Sequence, residues 1–191
     1  VPDRGDRVYF VVAGAAKLGR RGLLGRRVVE TIVQQGDLFG SLSGAGHGRS
    51  FHLEPIDQLT LLAVPSDVVE RCVREHPACA LSIIQTLEDQ HRKLQRSVES
   101  LLFKDLTTRV VETVLWLARE HGDRCEHGWA MDVRVNQQDL ADLCGATRQA
   151  VSAVLGKLER RLLLRRKGRV ICILSMTRLS KLAESLDDAD E

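Results

Sequence analysis

The 191-residue sequence predicts an α+β fold: a small β domain, a long helix, and a second domain of helices closed by a strand hairpin. Three observations predict it. Strand-like runs between Gly-rich turns are confined to about the first 75 residues. From Asp67 onward the apolar period lengthens: Ile84, His91 and Val98 fall seven apart, as do Leu87, Leu94 and Leu101. Finally, "NQQDLADLCGATRQAVSAVLGKLERRLLLRRKGR" (136–169) sets two short amphipathic segments on either side of a glycine and ends in arginines. The expected divisions are residues 1–77, 78–102 and 103–191.

In the first part, "RVYFVVAG" (7–14) is rich in β-branched and aromatic residues and reads as a strand that "AAKLGRR" continues. "RRVVETIV" (26–33) is another strand. The turn-rich "QQGDLFGSLSGAGHGRS" and the apolar "LTLLAVP" follow, and the pattern suggests a sandwich or barrel. Residues 67–76 read as a short helix stopped at Pro77, with Ser66 as its N-cap. The long helix then runs over about 78–102. Its positions Ile84, Leu87, His91, Leu94, Val98 and Leu101 make an a/d seam over three heptads, which predicts pairing with a second copy in a homodimer. The alternative is a helix packed on its own barrel. His91, at an a position, reads as a register device and not a ligand.

In the last part, "FKDLTTRVVETVLWLAREHG" (103–122) is a helix started by residues 105–108, with Val110, Val111, Val114, Leu115 and Leu117 on its apolar face. "RCEHGWAMDVRV" reads as a hairpin with Gly128 in its turn. Asn136 caps a helix whose apolar side is Leu140, Ala141 and Leu143, and Gly145 suits a tight turn that needs positive φ. Thr147 caps a second helix with Val151, Val154, Leu155 and Leu158 inward and Arg148, Gln149, Ser152, Ala153 and Lys157 outward. This is a helix-turn-helix pattern. "LLLRRKGRVICIL" follows as a two-stranded wing turning at Lys167-Gly168, and residues 176–186 close the chain as a helix capped by Ser175.

Charge points the same way. Residues 147–169 hold eight basic side chains and one acid, Glu159, a local sum of +7, whereas four acids crowd 187–191. Such asymmetry favours a polyanionic partner. The expected DNA-contacting set is Gln138, Thr147, Arg148, Gln149, Ser152 and Lys157 on the helices, with Arg165, Arg166 and Lys167 on the wing. Arginine bonds a guanine edge bidentately and glutamine an adenine edge, whereas phosphate contacts by the wing, Arg169 included, add affinity without sequence information. The competing reading is a small helical domain with a solvated basic face.

Other classes find less support. No run of about 18 apolar residues exists, and no basic-then-apolar leader opens the sequence, so neither a membrane span nor a secretory signal is expected. Five scattered cysteines without a CxxC pair argue against a disulfide framework and for a reducing, cytoplasmic setting. No Ser-His-Asp arrangement, P-loop or paired-carboxylate constellation suggests an enzyme. His121, Cys125 and His127 lack a fourth metal ligand, and His47 and His52 beside the Gly-rich loop lack any further haem-ligand pattern, so no cofactor or metal is expected. Cys144, beside the helix-turn-helix turn, reads as a small buried hydrophobe.

The chain resembles the cyclic-AMP receptor protein family of bacterial transcription regulators, which includes the fumarate–nitrate reduction regulators. "DRVYFVVAGAAKL", "GDLFG", "LLFKDLTTRVVETVLWLA" and "QQDLADLCGATRQAVSAVLGKLE" carry the likeness over nearly every residue, and "RLSKLAES" resembles a Deinococcus–Thermus subgroup of which some members act without a cyclic nucleotide. The resemblance implies an N-terminal β-roll of the cyclic-nucleotide-binding kind, a long dimerisation helix and a C-terminal winged helix-turn-helix. It also implies further strands ahead of Val1, and double-stranded DNA, RNA polymerase and a second copy as partners.

In nucleotide-binding members of the family, a Gly-Glu pair and an Arg-Ser pair hold the ribose and phosphate, and hydroxyl residues on the long helix meet adenine. Here those places fall on Gly40, Ser41, Arg49, Ser50, Leu94 and Gln95: the Gly and the Arg-Ser remain, but the carboxylate and the hydroxyl pair do not. The pocket is therefore expected to be degenerate, with no cyclic-AMP requirement. The iron–sulfur members' N-terminal cysteine cluster does not occur in these residues. Arg148 corresponds to the family's guanine-reading arginine, whereas Gln149 stands at an acidic position and Ala153 at a second base-reading arginine. The expected function is a sequence-specific regulator that activates by touching RNA polymerase, as the resemblance implies; repression by blocking a promoter fits these residues equally. The alternatives are a ligand- or redox-responsive sensor that needs an effector in the β-roll, and a module that binds an acidic protein.

Overall fold

The computed structural model describes residues 6–21, 27–42, 51–126, 128–131, 135–167 and 170–187. The chain divides into two units, 1–96 and 97–191.

In the first unit β1 (Arg7–Ala13) lies between β4 (Leu38–Gly40) and β6 (Thr60–Pro65), and β2 (Ala15–Arg21) between β3 (Arg27–Gln34) and β5 (Phe51–Pro55); all pairs are antiparallel. β2 does not continue β1, as the sequence suggested. Gly14 at φ +79° turns the chain from one sheet into the other, and Asp57 fixes the corner by accepting a hydrogen bond from the Ala15 amide at 2.6 Å. A Cβ at Gly14 would come within 2.2 Å of the Gln58 carbonyl oxygen.

β1 is buried on both faces. Tyr9 and Val11 meet Ala16, Val33 and Phe39 inside the roll, whereas Val8 joins Leu38 and Val69 on the opposite side. Inside, the Tyr9 and Phe39 rings stack 5.2 Å apart, and Phe51 sets its edge against both. β4 and β5 lie in or beside the stretch that read as turns.

Helix α1 (Ser66–Glu75) starts one residue before its expected start, and Ser66 is not its cap. Pro65 occupies the cap position, and the Ser66 hydroxyl donates to the Ser41 carbonyl oxygen at 2.5 Å. Helix α2 (Pro77–Phe103) opens on a proline, the residue suited to a first helical position because its missing N–H would find no intrahelical acceptor. It buries no residue in a single copy of the chain. Within the first unit it is held to the roll by Gln90, which donates to the Leu38 carbonyl oxygen at 2.7 Å, and by Lys93, 3.0 Å from the Asp37 carboxylate.

The second unit is built on α3 (Leu106–His121), capped by Asp105 and burying Val110, Val111, Val114, Leu115 and Leu117 as expected. α6 (Met176–Asp187) packs against it, with Ser175 accepting from the Arg178 amide. Four antiparallel strands form one sheet in the order β7 (Asp123–Cys125), β8 (Gly128–Met131), β10 (Val170–Ile173), β9 (Leu164–Lys167). Gly128 is not in the hairpin turn but opens β8 opposite Cys125. Its φ of +145° suits glycine, and a Cβ there would lie 2.1 Å from the Ile173 carbonyl oxygen. Between β8 and β9 come α4 (Gln137–Leu143) and α5 (Arg148–Arg160).

Candidate nucleic-acid interface

α4 begins with a reciprocal cap. The Asn136 side chain accepts from the amides of Gln138 and Asp139, and the Asp139 carboxylate accepts from the Asn136 amide at 2.8 Å. Three backbone N–H groups at the helix start thereby find acceptors. Leu140 and Ala141 are buried, and Leu143 partly so. The turn follows: the Gly145 amide bonds to the Asp142 carbonyl, the Ala146 amide to that of Ala141, and Gly145 takes φ +60°. A Cβ at residue 145 would fall 2.5 Å from Leu101 Cδ2, so the turn lies against the C-terminal end of α2.

Thr147 Oγ1 then accepts from the Ala150 amide and caps α5. Val151, Val154, Leu155 and Leu158 face the core, as the spacing predicted. Arg148, Gln149, Ala153 and Lys157 stand exposed and Ser152 partly so, forming one outer face. The first turn of α5 therefore offers a guanidinium and an amide to solvent, the chemistry needed to read base edges.

α5 ends with Leu162 at φ +54°, where the Leu162 and Leu163 amides bond to the carbonyls of Glu159 and Leu158. This left-handed cap turns the chain into β9. Arg165 and Lys167 are exposed on that strand, whereas Arg166 is turned back. Its backbone amide donates to Glu159 Oε1 at 2.8 Å and its Nε to Glu159 Oε2 at 2.9 Å. Hydrogen bonding by Arg166 holds the Glu159 carboxyl below its usual range, against a smaller opposing effect of burial. Arg166 thus joins the wing to α5 through Glu159. The signal was in the sequence: Glu159 is the one acid in the basic run. Gln138 is likewise engaged, through its amide, with Asp142 at 2.8 Å.

A concavity of about 400 Å³ lies between these parts, lined by Asn136, Gln137, Gln138, Arg148 and Arg166 over Val135 and Ile171. Lys167 pairs with Val170 at the end of the β9–β10 ladder, so it belongs to β9 and not to the turn. Gly168 and Arg169 lie outside the described residues.

The expected effector positions are only partly described. Gly40 ends β4 at φ +106°, with room for a Cβ denied by the Arg7 carbonyl oxygen at 2.4 Å. The Ser41 amide bonds to that same carbonyl at 2.9 Å. Arg49, Ser50 and His47 lie outside the described residues. Leu94 is 61% exposed and Gln95 is exposed on α2. The His52 imidazole is held below its usual pKa by burial and then by Arg27, whose Nη1 lies 3.2 Å from Nε2.

Of the three weak metal ligands, His127 lies outside the described residues, and among those described no cluster of three or more ligating groups occurs. Cys144 is 2% exposed, with its thiol 3.4 Å from Thr113 Oγ1; burial pushes its pKa up, as suits a small core residue. None of the described helices is long and apolar enough to cross a membrane.

Residues 2–76 match the cyclic nucleotide-binding domain, and residues 108–182 match the Crp-like helix-turn-helix domain. The chain is 30% identical over 174 residues to the global nitrogen regulator of Synechocystis sp., covering 90% of this chain and 74% of that one. It is 29% identical over 184 residues to the CRP-like cAMP-activated global transcriptional regulator of Mycobacterium tuberculosis, covering 95% and 81%. Among solved structures, a transcriptional regulator of the CRP/FNR family from Thermus thermophilus superposes with a TM-score of 0.81 at 24% identity, over 97% of this chain and 93% of that one.

Proposed function

The chain belongs to the CRP/FNR family of DNA-binding transcription regulators, and on that premise we propose that it acts as a homodimer that activates transcription from an inverted-repeat promoter site without requiring cyclic AMP. The observation that carries the dimer is α2: Ile84, Leu87, Leu94, Val98 and Leu101 stand 39–61% exposed along one heptad stripe. Water-exposed leucines in such a row call for a covering surface, and a copy of the same stripe supplies one with matching period. Two-fold symmetry then presents two α5 helices to successive major grooves, with half-site centres about 10 bp apart.

Arg148 and Gln149 are the base readers, with Ser152 and Lys157 beside them, and Arg165 and Lys167 neutralise phosphates. Thr147 contributes chiefly by capping α5. RNA polymerase is the partner that turns occupancy of the site into activation. Independence of cyclic AMP is supported by Ser41, whose place lacks the carboxylate a ribose hydroxyl would need, and by Leu94, which offers adenine no hydrogen bond. A second reading, an effector-dependent sensor, is favoured by the nucleotide-binding-domain match over 2–76.

Selection from a random-site DNA library, with and without cyclic AMP at fixed salt, separates them. The proposal expects one palindrome in both conditions. Enrichment only with the nucleotide would establish the sensor reading. In the same assay Arg148→Ala is expected to abolish specific binding; unchanged specific affinity in that variant would overturn the docking of α5.

A further inference from the structure

The α1–α2 junction carries two thiols. Cys72 lies on α1 and Cys79 in the first turn of α2, and their sulfurs are 3.0 Å apart. Both residues are only partly buried, so a small oxidant reaches them. The backbone holds the approach: the His76 amide bonds to the Cys72 carbonyl at 2.8 Å, and the Cys79 amide to that of His76 at 2.9 Å. Two thiols in contact across a hydrogen-bonded turn need close by only about 1 Å to reach the length of an S–S bond.

We propose that Cys72 and Cys79 form a reversible intramolecular disulfide, and that the junction between the β-roll and the long helix is an oxidant-sensitive modification site whose co-reactant is a hydroperoxide. Cys79, in the first turn of α2, meets the oxidant first. Its thiolate attacks one peroxide oxygen, the O–O bond breaks, and the departing oxygen leaves as water or alcohol after taking a proton. The Cys79 sulfenic acid that results is attacked by Cys72; the S–S bond forms, the S–O bond breaks, and water leaves. Two electrons pass from sulfur to the peroxide, and a dithiol returns them.

Until that second step Cys72 keeps its proton. Its hydrogen bond with Cys79 and then burial hold its pKa above the usual thiol value. Bridge formation therefore quickens as pH rises through the thiol range. The second thiol pair is a natural comparison. Cys125 and Cys172 lie 3.3 Å apart, but β8 runs between their strands, and a bridge there would have to draw the sheet together. The inference does not rest on DNA binding.

The test is peptide mapping of the full chain. Reduced protein is titrated with hydrogen peroxide, digested with trypsin without reductant and weighed. Cleavage after Arg71, Arg74 and Arg92 puts Cys72 on residues 72–74 and Cys79 on 75–92. The expected product is those two peptides joined with loss of two hydrogens, complete near about one equivalent of peroxide per pair and reversed by dithiothreitol. Cys72→Ser should leave a Cys79 sulfenic acid that dimedone traps. Peroxidation of Cys79 to sulfinic acid in the unsubstituted chain, bridges only between separate chains, or no Cys72–Cys79 product would each overturn the proposal. None of these outcomes bears on whether the protein selects DNA.

Discussion

The one acid in the basic run is tied to the wing. The Glu159–Arg166 pair is about three-quarters covered and joined by side-chain and backbone bonds, so it exceeds an ordinary surface ion pair. Its contribution is about 0.5–1 kcal/mol once solvent screening is allowed for. Because the folded chain holds the Glu159 carboxyl below its ordinary value of 4.5, the unfolded chain takes up that proton first as pH falls. The stabilisation is complete above the ordinary value and is lost as pH falls through the lowered folded one. Glu159→Gln should therefore lower stability at neutral pH and flatten that part of the acid limb, as read by chemical unfolding between pH 3 and about 6. It also frees Arg166, so the DNA affinity of the variant should become more salt-dependent.

At the scale of the element, α5 combines a conventional inner face with an unusual outer one. Gly156 sits in that outer half, and a Cβ there would meet nothing closer than 3.7 Å. Gly156→Ala should stabilise the helix by about 0.5–1 kcal/mol and raise Tm by about 2 °C. If α5 presses into a groove at this point, affinity for the selected palindrome should fall while Tm rises, so thermal unfolding and DNA titration read the two effects separately. The helices were legible in the sequence because their signals repeat: seven-residue spacing on α2, and inward Val151, Val154, Leu155 and Leu158 between Thr147 and the basic run. The β-roll was less legible. β4 has three residues, too few for an alternating pattern, and β5 follows a Gly-rich run that masks its start. Gly14 was read as the end of a strand that then resumed, whereas its positive φ and the Asp57 contact turn the chain into another sheet. Ser66 was misread as a cap because the motif cannot show that its hydroxyl is already bonded to Ser41. Charge alone placed Arg166 among the phosphate contacts; the lone acid hinted at its pairing with Glu159, and the tertiary geometry shows it.

For the whole molecule, the proposed function depends on covering the α2 stripe. Leu94→Glu places a charge at a d position where two copies would meet, yet Leu94 makes little contact within one copy. The variant should fold with near-native stability, sediment as a monomer, and bind the palindrome at least about 100-fold more weakly, because each half-site must then be engaged alone. An unchanged dimer in sedimentation would transfer the interface to another face. The stripe also has a last rung that belongs to two neighbours. Leu101 completes the heptads, and its side chain fills the space that Gly145 leaves by lacking a Cβ. A modular cut made where α2 ends, at Phe103, would therefore carry away a recognition unit without the residue that packs on its turn. Chimeras that graft this reader onto another family member should retain the binding specificity and melting behaviour of the donor when the junction precedes Ser97, and lose part of both when it follows Leu102. The portable piece of this protein begins inside a helix, ahead of the point where the helix stops.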